Sequence, residues 1–330
     1  AIKTGTPYTE VCLFVYGMYL NKITMAKILI ATEKPFAKVA VDGIKEVAET
    51  AGLEIVLLEK YTEKAQLLAA VADVEAMIIR SDKIDNEVFD AAKNLKIVVR
   101  AGAGYDNVDL AAATAHGVVV MNTPGQNSNA VAELVFGMLV FAVRNFYNGK
   151  AGTELKGKKL GILAYGNVGR RVAHIAKGFD MDVYAYDAYC PAAAIESDGV
   201  KAVSSQDELF EKCEVVSLHI PATAETRQSI NYALVGKMPK GGVLVNTARK
   251  EVINEPELLK LMQDRTDLKY VTDIMPEADA DFRILEGRYF STPKKMGAQT
   301  AEANINAGVA AAHQIAAFFK DGCTKYQVNK

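Results

Sequence analysis

The segment Gly161-Ile-Leu-Ala164-Tyr165-Gly166-Asn167-Val168-Gly169 has residue types and spacing that suit a phosphate group. An apolar run leads into it and a helical pattern leads out, so it forms a strand–turn–helix corner. Gly166 has no side chain, which lets a pyrophosphate approach the backbone, and Gly169 lets the helix pack close to the strand. Free N–H groups and the helix dipole then favour the anion. The full pattern G-x-G-x-x-G fails at its first position, which is Ala164. The next apolar run ends at Asp187, 21 residues past Gly166. A carboxylate there can accept two hydrogen bonds from the adenosine ribose and would repel a 2′-phosphate, so NAD is expected rather than NADP. A second set of chemical side chains, Arg80 and Lys83 in IIRSDKI and Arg100 in IVVRAG, stands at the ends of neighbouring apolar runs. Strand carboxyl ends are where open α/β sheets bind ligands.

The elements that must position these groups come in two series. In the first, KILIA (27–31), EIVLLE (54–59), AMIIRS (76–81), IVVRAG (97–102) and VVVMN (118–122) read as strands, with helical spacing over 39–52 and 66–73. Continuous Val/Ile runs predict parallel strands buried on both faces. Their alternation with helices predicts an open doubly wound sheet. The breaker cluster NTPGQNS (122–128) marks a linker. The apolar helix over 129–145 contains Glu133, which together with its length favours burial between domains over a membrane span. A second series starts at Lys159, with strands at 160–164, 183–187, 215–221, 242–248 and 270–274, and helical spacing from 167 to 177. A long apolar helix over 300–319 closes the chain. The pattern predicts an α/β protein with two doubly wound parallel-sheet domains.

A length of 330 residues suits two cores. Half the residues are hydrophobic and the formal net charge is −2, so no broad attraction to nucleic acid or to an anionic membrane is expected. The four cysteines, Cys12, Cys190, Cys213 and Cys323, are scattered with no CxxC pair. Neither a metal site nor a disulfide framework follows from them, and a cytoplasmic setting is expected. Residues 1–24 look foreign to the rest. Val11–Leu20 is too short to span a bilayer, and a signal peptide would need more than Lys3 ahead of it and a small-residue cleavage site behind. The strand-like MAKILIATEK makes Met25 the natural start, with residues 1–25 an extension of doubtful relevance.

The strings VVRAGAGYDNVDL (98–110), VMNTPGQNS (120–128), VSLHIPATAETR (216–227) and LVNTARKEVINEPEL (244–258) closely resemble the D-isomer-specific 2-hydroxyacid dehydrogenase family, in that family's order. The resemblance covers nearly everything from Met25 to Lys330. It implies a Rossmann NAD domain (123–295) inserted into a flavodoxin-like substrate domain (26–122 and 296–330), with hinge closure around the ligand. It also implies a homodimer acting on a small molecule, with no nucleic acid or membrane partner.

The resemblance further assigns residues. Tyr165, Gly166, Asn167, Val168, Gly169, Asp187, His219, Ile220, Pro221, Thr226, Thr247, Ala248, Arg249 and Asp273 fall at cofactor-contacting positions. Arg80, Arg100, the backbone of Gly102, Ala103 and Gly104, and Arg144 fall to the substrate. Members of the family use Arg, Glu and His for catalysis. The arginine is Arg249, a permanently charged fork that can hold a carboxylate and polarise a carbonyl. The histidine is replaced: counting back from Gly297, its place holds Lys295, with Lys294 as competitor, and the chain resembles the subgroup that carries lysine there. The glutamate's place is Ala278, one past Glu277, which is the remaining candidate. Arg80 and Arg100 would face a phosphate, so 3-phosphoglycerate is the expected substrate. Glyoxylate, hydroxypyruvate or D-lactate, or a non-catalytic NAD-binding sensor or corepressor, are the alternatives. No regulatory domain is expected after the last helix.

Overall fold

The computed structural model describes residues 25–329; residues 1–24, with the apolar run Val11–Leu20, lie outside the described residues. The chain forms two compact units. The first comprises the chain to Ala101, Tyr105–Asn122 and the chain from Ala311. Its strands are β1 (Lys27–Thr32), β2 (Glu54–Glu59), β3 (Ala76–Ile79), β4 (Ile97–Arg100) and β5 (Val119–Asn122). All pair in parallel in the order β2-β1-β3-β4-β5, the flavodoxin-like order. Ile28 to Ala31 and all of β3 are fully buried, as unbroken apolar runs in a covered sheet should be. The edge strand β2 is only partly covered, which suits a run bounded by Glu54 and Glu59. The register pairs Ile79 with Arg100, which aligns the carboxyl ends of β3 and β4.

The second unit comprises Gly102–Gly104 and Thr123–Ala310. Its strands are β6 (Lys159–Leu163), β7 (Asp182–Tyr186), β8 (Lys201–Ala202), β9 (Val215–Leu218), β10 (Val243–Asn246), β11 (Lys269–Thr272) and β12 (Tyr289–Ser291). The order β12-β11-β10-β9-β6-β7-β8 is the Rossmann order with one strand added, and it reverses between β6 and β9. That switch point is where such sheets bind a dinucleotide. The helix Ser128–Val143 buries Val135, Leu139 and Ala142 in the same core as Ile162 of β6, Val172 of the helix Asn167–Gly178, Val245 and Val271. Full burial of one such aliphatic side chain contributes about 2 kcal/mol. Among the described residues no helix is long and apolar enough to cross a membrane.

By sequence the chain is expected to leave the second domain at residue 296, but the second unit runs on to Ala310, inside the helix Ala301–Asp321. The physical reason is local. Asp273 accepts hydrogen bonds from the backbone N–H groups of Met296 and Gly297, which ties that turn to the end of β11.

Candidate active site

The turn after β6 is fixed by what its residues lack. Ala164 has φ +78°, the left-handed conformation that glycine adopts freely and that costs an L side chain about 1–2 kcal/mol. The position is thus glycine-like in geometry although not in identity. A Cβ on Gly169 would collide with the Ala164 carbonyl oxygen, so this glycine permits the helix to meet the strand. A Cβ on Gly166 would meet nothing within 4 Å. Gly166 is the N-cap of the helix Asn167–Gly178 and offers no side chain to cap it. The first-turn N–H groups are therefore left to an external acceptor.

Asp187, at the end of β7, braces this turn. Its Oδ2 accepts from Tyr165 N at 2.7 Å, and its Oδ1 accepts from Tyr189 N at 2.7 Å and Cys190 N at 2.9 Å. A carboxylate has about four acceptor sites, so less capacity remains for a ribose than spacing alone implies. Tyr165 is held at its other end too: its hydroxyl donates to Asp198 at 3.1 Å, and the Arg170 guanidinium lies over its ring and pairs with Asp198. Burial, aided by Asp198, pushes the phenol up to about 12. His219, just past β9, donates its backbone N–H to Leu163 O, and its ring Nε2 lies 2.9 Å from Ser217 Oγ. Burial pushes its pKa down to about 3, so the imidazole is neutral. The following loop, with Ile220 and Pro221, is pinned by Thr226 Oγ1, which donates to Pro221 O and accepts from Thr223 N.

The ends of β10 and β11 bring two cations together. Asn246, fully buried, clasps the next turn: its Nδ2 donates to Arg249 O and its Oδ1 accepts from Ala248 N, both at 2.9 Å. The carbonyl oxygen of Ala248 then accepts from Arg249 Nη1 at 2.9 Å and from Lys295 Nζ at 2.7 Å. Lys295 reaches it from a turn held by Asp273, whose Oδ2 accepts from Gly297 N at 2.6 Å and Met296 N at 3.2 Å. Burial raises the Asp273 pKa; the two amides and the charges of Lys295 and Arg249 oppose that. Lys294 is exposed, and its carbonyl accepts from the Thr292 hydroxyl. The structure thus brings Lys295 to the Arg249 turn.

Residues 138–289 match the model of the family described as D-isomer specific 2-hydroxyacid dehydrogenase, NAD binding domain. An NAD+-bound 3-phosphoglycerate dehydrogenase structure from Entamoeba histolytica is 48% identical, with a TM-score of 0.83 over 93% of this chain and 99% of that one. A hydroxypyruvate reductase of Thermotoga maritima is 34% identical over 79% of this chain and 90% of its own length. The chain belongs to the D-isomer-specific 2-hydroxyacid dehydrogenase family. A D-3-phosphoglycerate dehydrogenase of Methanocaldococcus jannaschii is 33% identical over 83% of this chain, which spans 55% of that relative's length.

The family's cofactor is NAD, and this chain's own atoms fit it. At the carboxyl edge of the sheet, Asp273 Oδ1 and Thr247 Oγ1 are buried without a hydrogen-bond partner among the described residues. A buried acceptor left so is costly. A carboxamide N–H would satisfy Asp273 Oδ1, and the uncapped helix at Gly166 suits a pyrophosphate.

Two expectations drawn from the family do not hold in the geometry. Glu277 is 81% exposed and accepts from Lys250 Nζ at 2.9 Å, which lowers its pKa; the described contact is a surface ion pair with that lysine. Arg144 is exposed at the C-terminus of the helix Ser128–Val143. There Lys269, the first residue of β11, donates to Ala142 O and Asn145 Oδ1. This is the amino edge of the sheet, whereas Asp187, Thr247 and Asp273 lie at the carboxyl edge, so Arg144 leaves the substrate set. The direction of this helix, which motif spacing does not carry, decides this.

The first unit presents its own basic edge. Arg80 Nη1 donates to Lys34 O and Pro35 O, and its guanidinium lies 5.2 Å from the Phe36 ring centre. Arg100 Nε donates to Arg80 O at 3.0 Å. In the loop Gly102–Gly104, grouped with the second unit, Gly102 O accepts from Thr123 N, while Ala103 is exposed.

Proposed function

We propose that the chain is an NAD-dependent D-2-hydroxyacid dehydrogenase that oxidises 3-phosphoglycerate to 3-phosphohydroxypyruvate, the first step of serine biosynthesis, working as a cytoplasmic homodimer. The observation that carries the chemistry is the shared Ala248 carbonyl, which holds a guanidinium and an amine side by side. Bound NAD supplies the hydride acceptor. Arg249, always charged, holds the substrate carboxylate and polarises the C2 oxygen. Lys295 takes the C2 hydroxyl proton, which requires the neutral amine. An ordinary lysine has a pKa of about 10.4, so the neutral amine is the minor form near pH 7 and turnover should rise with pH. No glutamate beside the amine is needed to orient Lys295, because the Ala248 carbonyl already accepts from it and the Asp273 carboxylate sets its backbone through Gly297 N. Glu277 has no part in this scheme.

The phosphate reading is supported by Arg80 and Arg100 at adjacent strand ends, and by the 3-phosphoglycerate dehydrogenase at 48% identity. A guanidinium pair suits a phosphate dianion. The hydroxypyruvate reductase at 34% identity favours a second reading, in which the acid carries no phosphate. NADH absorbance with 3-phosphoglycerate, D-glycerate, glycolate and D-lactate separates them. Highest kcat/KM with 3-phosphoglycerate is expected. Equal or better turnover of an unphosphorylated acid overturns the substrate, and NAD binding without any turnover overturns the enzyme in favour of a sensor.

A further inference from the structure

The phosphate reading uses Arg80 and Arg100 but leaves unexplained the carboxylate between them. Asp82 is 2% exposed, two residues past Arg80. A buried carboxylate persists only with strong partners, and Asp82 has three. Its Oδ1 accepts from Glu33 N at 2.7 Å and from the Tyr61 hydroxyl at 2.9 Å; its Oδ2 accepts from Arg80 N at 3.1 Å. Those donors come from the chain just after β1, β2 and β3, so one side chain fastens three strand ends.

Each contact bears on a guanidinium. The bond to Arg80 N fixes the backbone from which that side chain springs. The bond to Glu33 N fixes the start of the loop whose Lys34 and Pro35 carbonyls accept from Arg80 Nη1 and whose Phe36 lies under its plane. Root and rest of the Arg80 side chain are therefore set by the same carboxylate. Arg100 follows, since its Nε donates to Arg80 O. Asn107 Nδ2 completes the knot by donating to Arg80 O at 3.2 Å and Asp82 O at 2.7 Å. Tyr61 is buried, and burial together with Asp82 keeps its phenol protonated and donating far above neutral pH.

We propose that Asp82, clamped by Tyr61, is a positioning residue that holds Arg80 and Arg100 ready for the phosphate of the substrate and so sets the preference for a phosphorylated acid. This rests on the phosphate reading above. Preorganised guanidinium groups give up little rotamer freedom on binding, whereas loosened ones must be ordered each time. The contribution therefore falls on substrates that carry the phosphate. A carboxylate that merely stabilised the unit would affect all acids alike.

The test compares 3-phosphoglycerate with D-glycerate in the full chain. Asp82→Asn keeps the shape but turns an N–H toward donors. It is expected to raise KM for 3-phosphoglycerate about tenfold, with kcat within about twofold. KM for D-glycerate and the affinity for NAD stay unchanged. Tyr61→Phe removes one donor and keeps the ring, so it decides the matter if Asp82→Asn fails to fold; KM for 3-phosphoglycerate is expected to rise about threefold, again with D-glycerate unmoved. Equal KM changes for both acids, or no change for either in the folded variants, overturn the proposal. A wild-type enzyme that does not prefer 3-phosphoglycerate overturns the phosphate reading itself, before any variant is made.

Discussion

Two turns at the carboxyl edge of the second unit's sheet position chemistry in opposite ways. The turn from Ala164 to Gly169 works by omission: no side chain at Gly166, none at Gly169, and a left-handed Ala164. The turn from Thr292 to Gly297 works by attachment: Asp273 grips its amides, and Lys295 is moored to Ala248 O. The first is a local device, written within nine consecutive residues. The second is assembled from three segments, and its substitution of lysine for histidine is matched by an acceptor on the protein backbone in place of a carboxylate. Backbone geometry is enough to receive a phosphate; moving a proton requires an amine held at a set point.

The largest effect that separates the two is Lys295→Ala. Turnover is expected to fall by about 10²–10⁴, the range for loss of a general base, while calorimetry finds NAD affinity unchanged. Near-normal turnover would remove the amine from the mechanism. The nucleotide turn is divided by its two glycines. Gly169→Ala drives a Cβ against the Ala164 carbonyl, and chemical denaturation should show a loss of about 3 kcal/mol, the upper end for overpacking. Gly166→Ala has open space around it, so stability should stay within about 0.5 kcal/mol while NAD affinity drops. If both variants lost stability equally, the open helix end would not be a ligand site.

His219 gives a smaller, pH-linked effect. Its folded pKa is depressed from 6.5 to about 3, so its contribution to stability is present above pH 6.5. Below that the unfolded chain takes up a proton that the folded chain refuses, and stability is lost as pH falls toward 3. The His219 ring resonance should accordingly show no titration at pH 5 by NMR, and a midpoint near 6.5 would contradict its burial. The smallest effect is Ala164→Gly. Release of left-handed strain, offset by glycine's greater chain entropy, should stabilise by up to about 1 kcal/mol in denaturant melts. A destabilised variant would mean that the alanine methyl packs usefully.

The contrast also marks how much the sequence discloses. The Gly166–Gly169 corner, Asp187 and the longer strands of both sheets are visible as runs and spacings, because parallel buried strands are apolar throughout and the phosphate turn is contiguous. Arg249 is visible as part of a motif. The Asn246 clasp could have been read from a polar residue ending a buried strand before a turn, a setting that asks for side-chain hydrogen bonds to the backbone. The mooring of Lys295 to Ala248 spans 47 residues and leaves no periodic trace. Asp187's bond to Tyr165 N and Asp82's bonds from Glu33 N and the Tyr61 hydroxyl are likewise long-range. Strands β8 and β12 are two and three residues long, too short for any pattern. Arg144 lies at the amino edge, and spacing says nothing about which end of the sheet a helix reaches.

A crystal structure with NAD and 3-phosphohydroxypyruvate tests the account most directly, through the distance from Lys295 Nζ to the substrate's C2 oxygen. The account predicts a hydrogen bond of about 2.6–3.2 Å, with Arg249 on the same ligand. Another side chain in that place, with Lys295 directed into solvent, would contradict it.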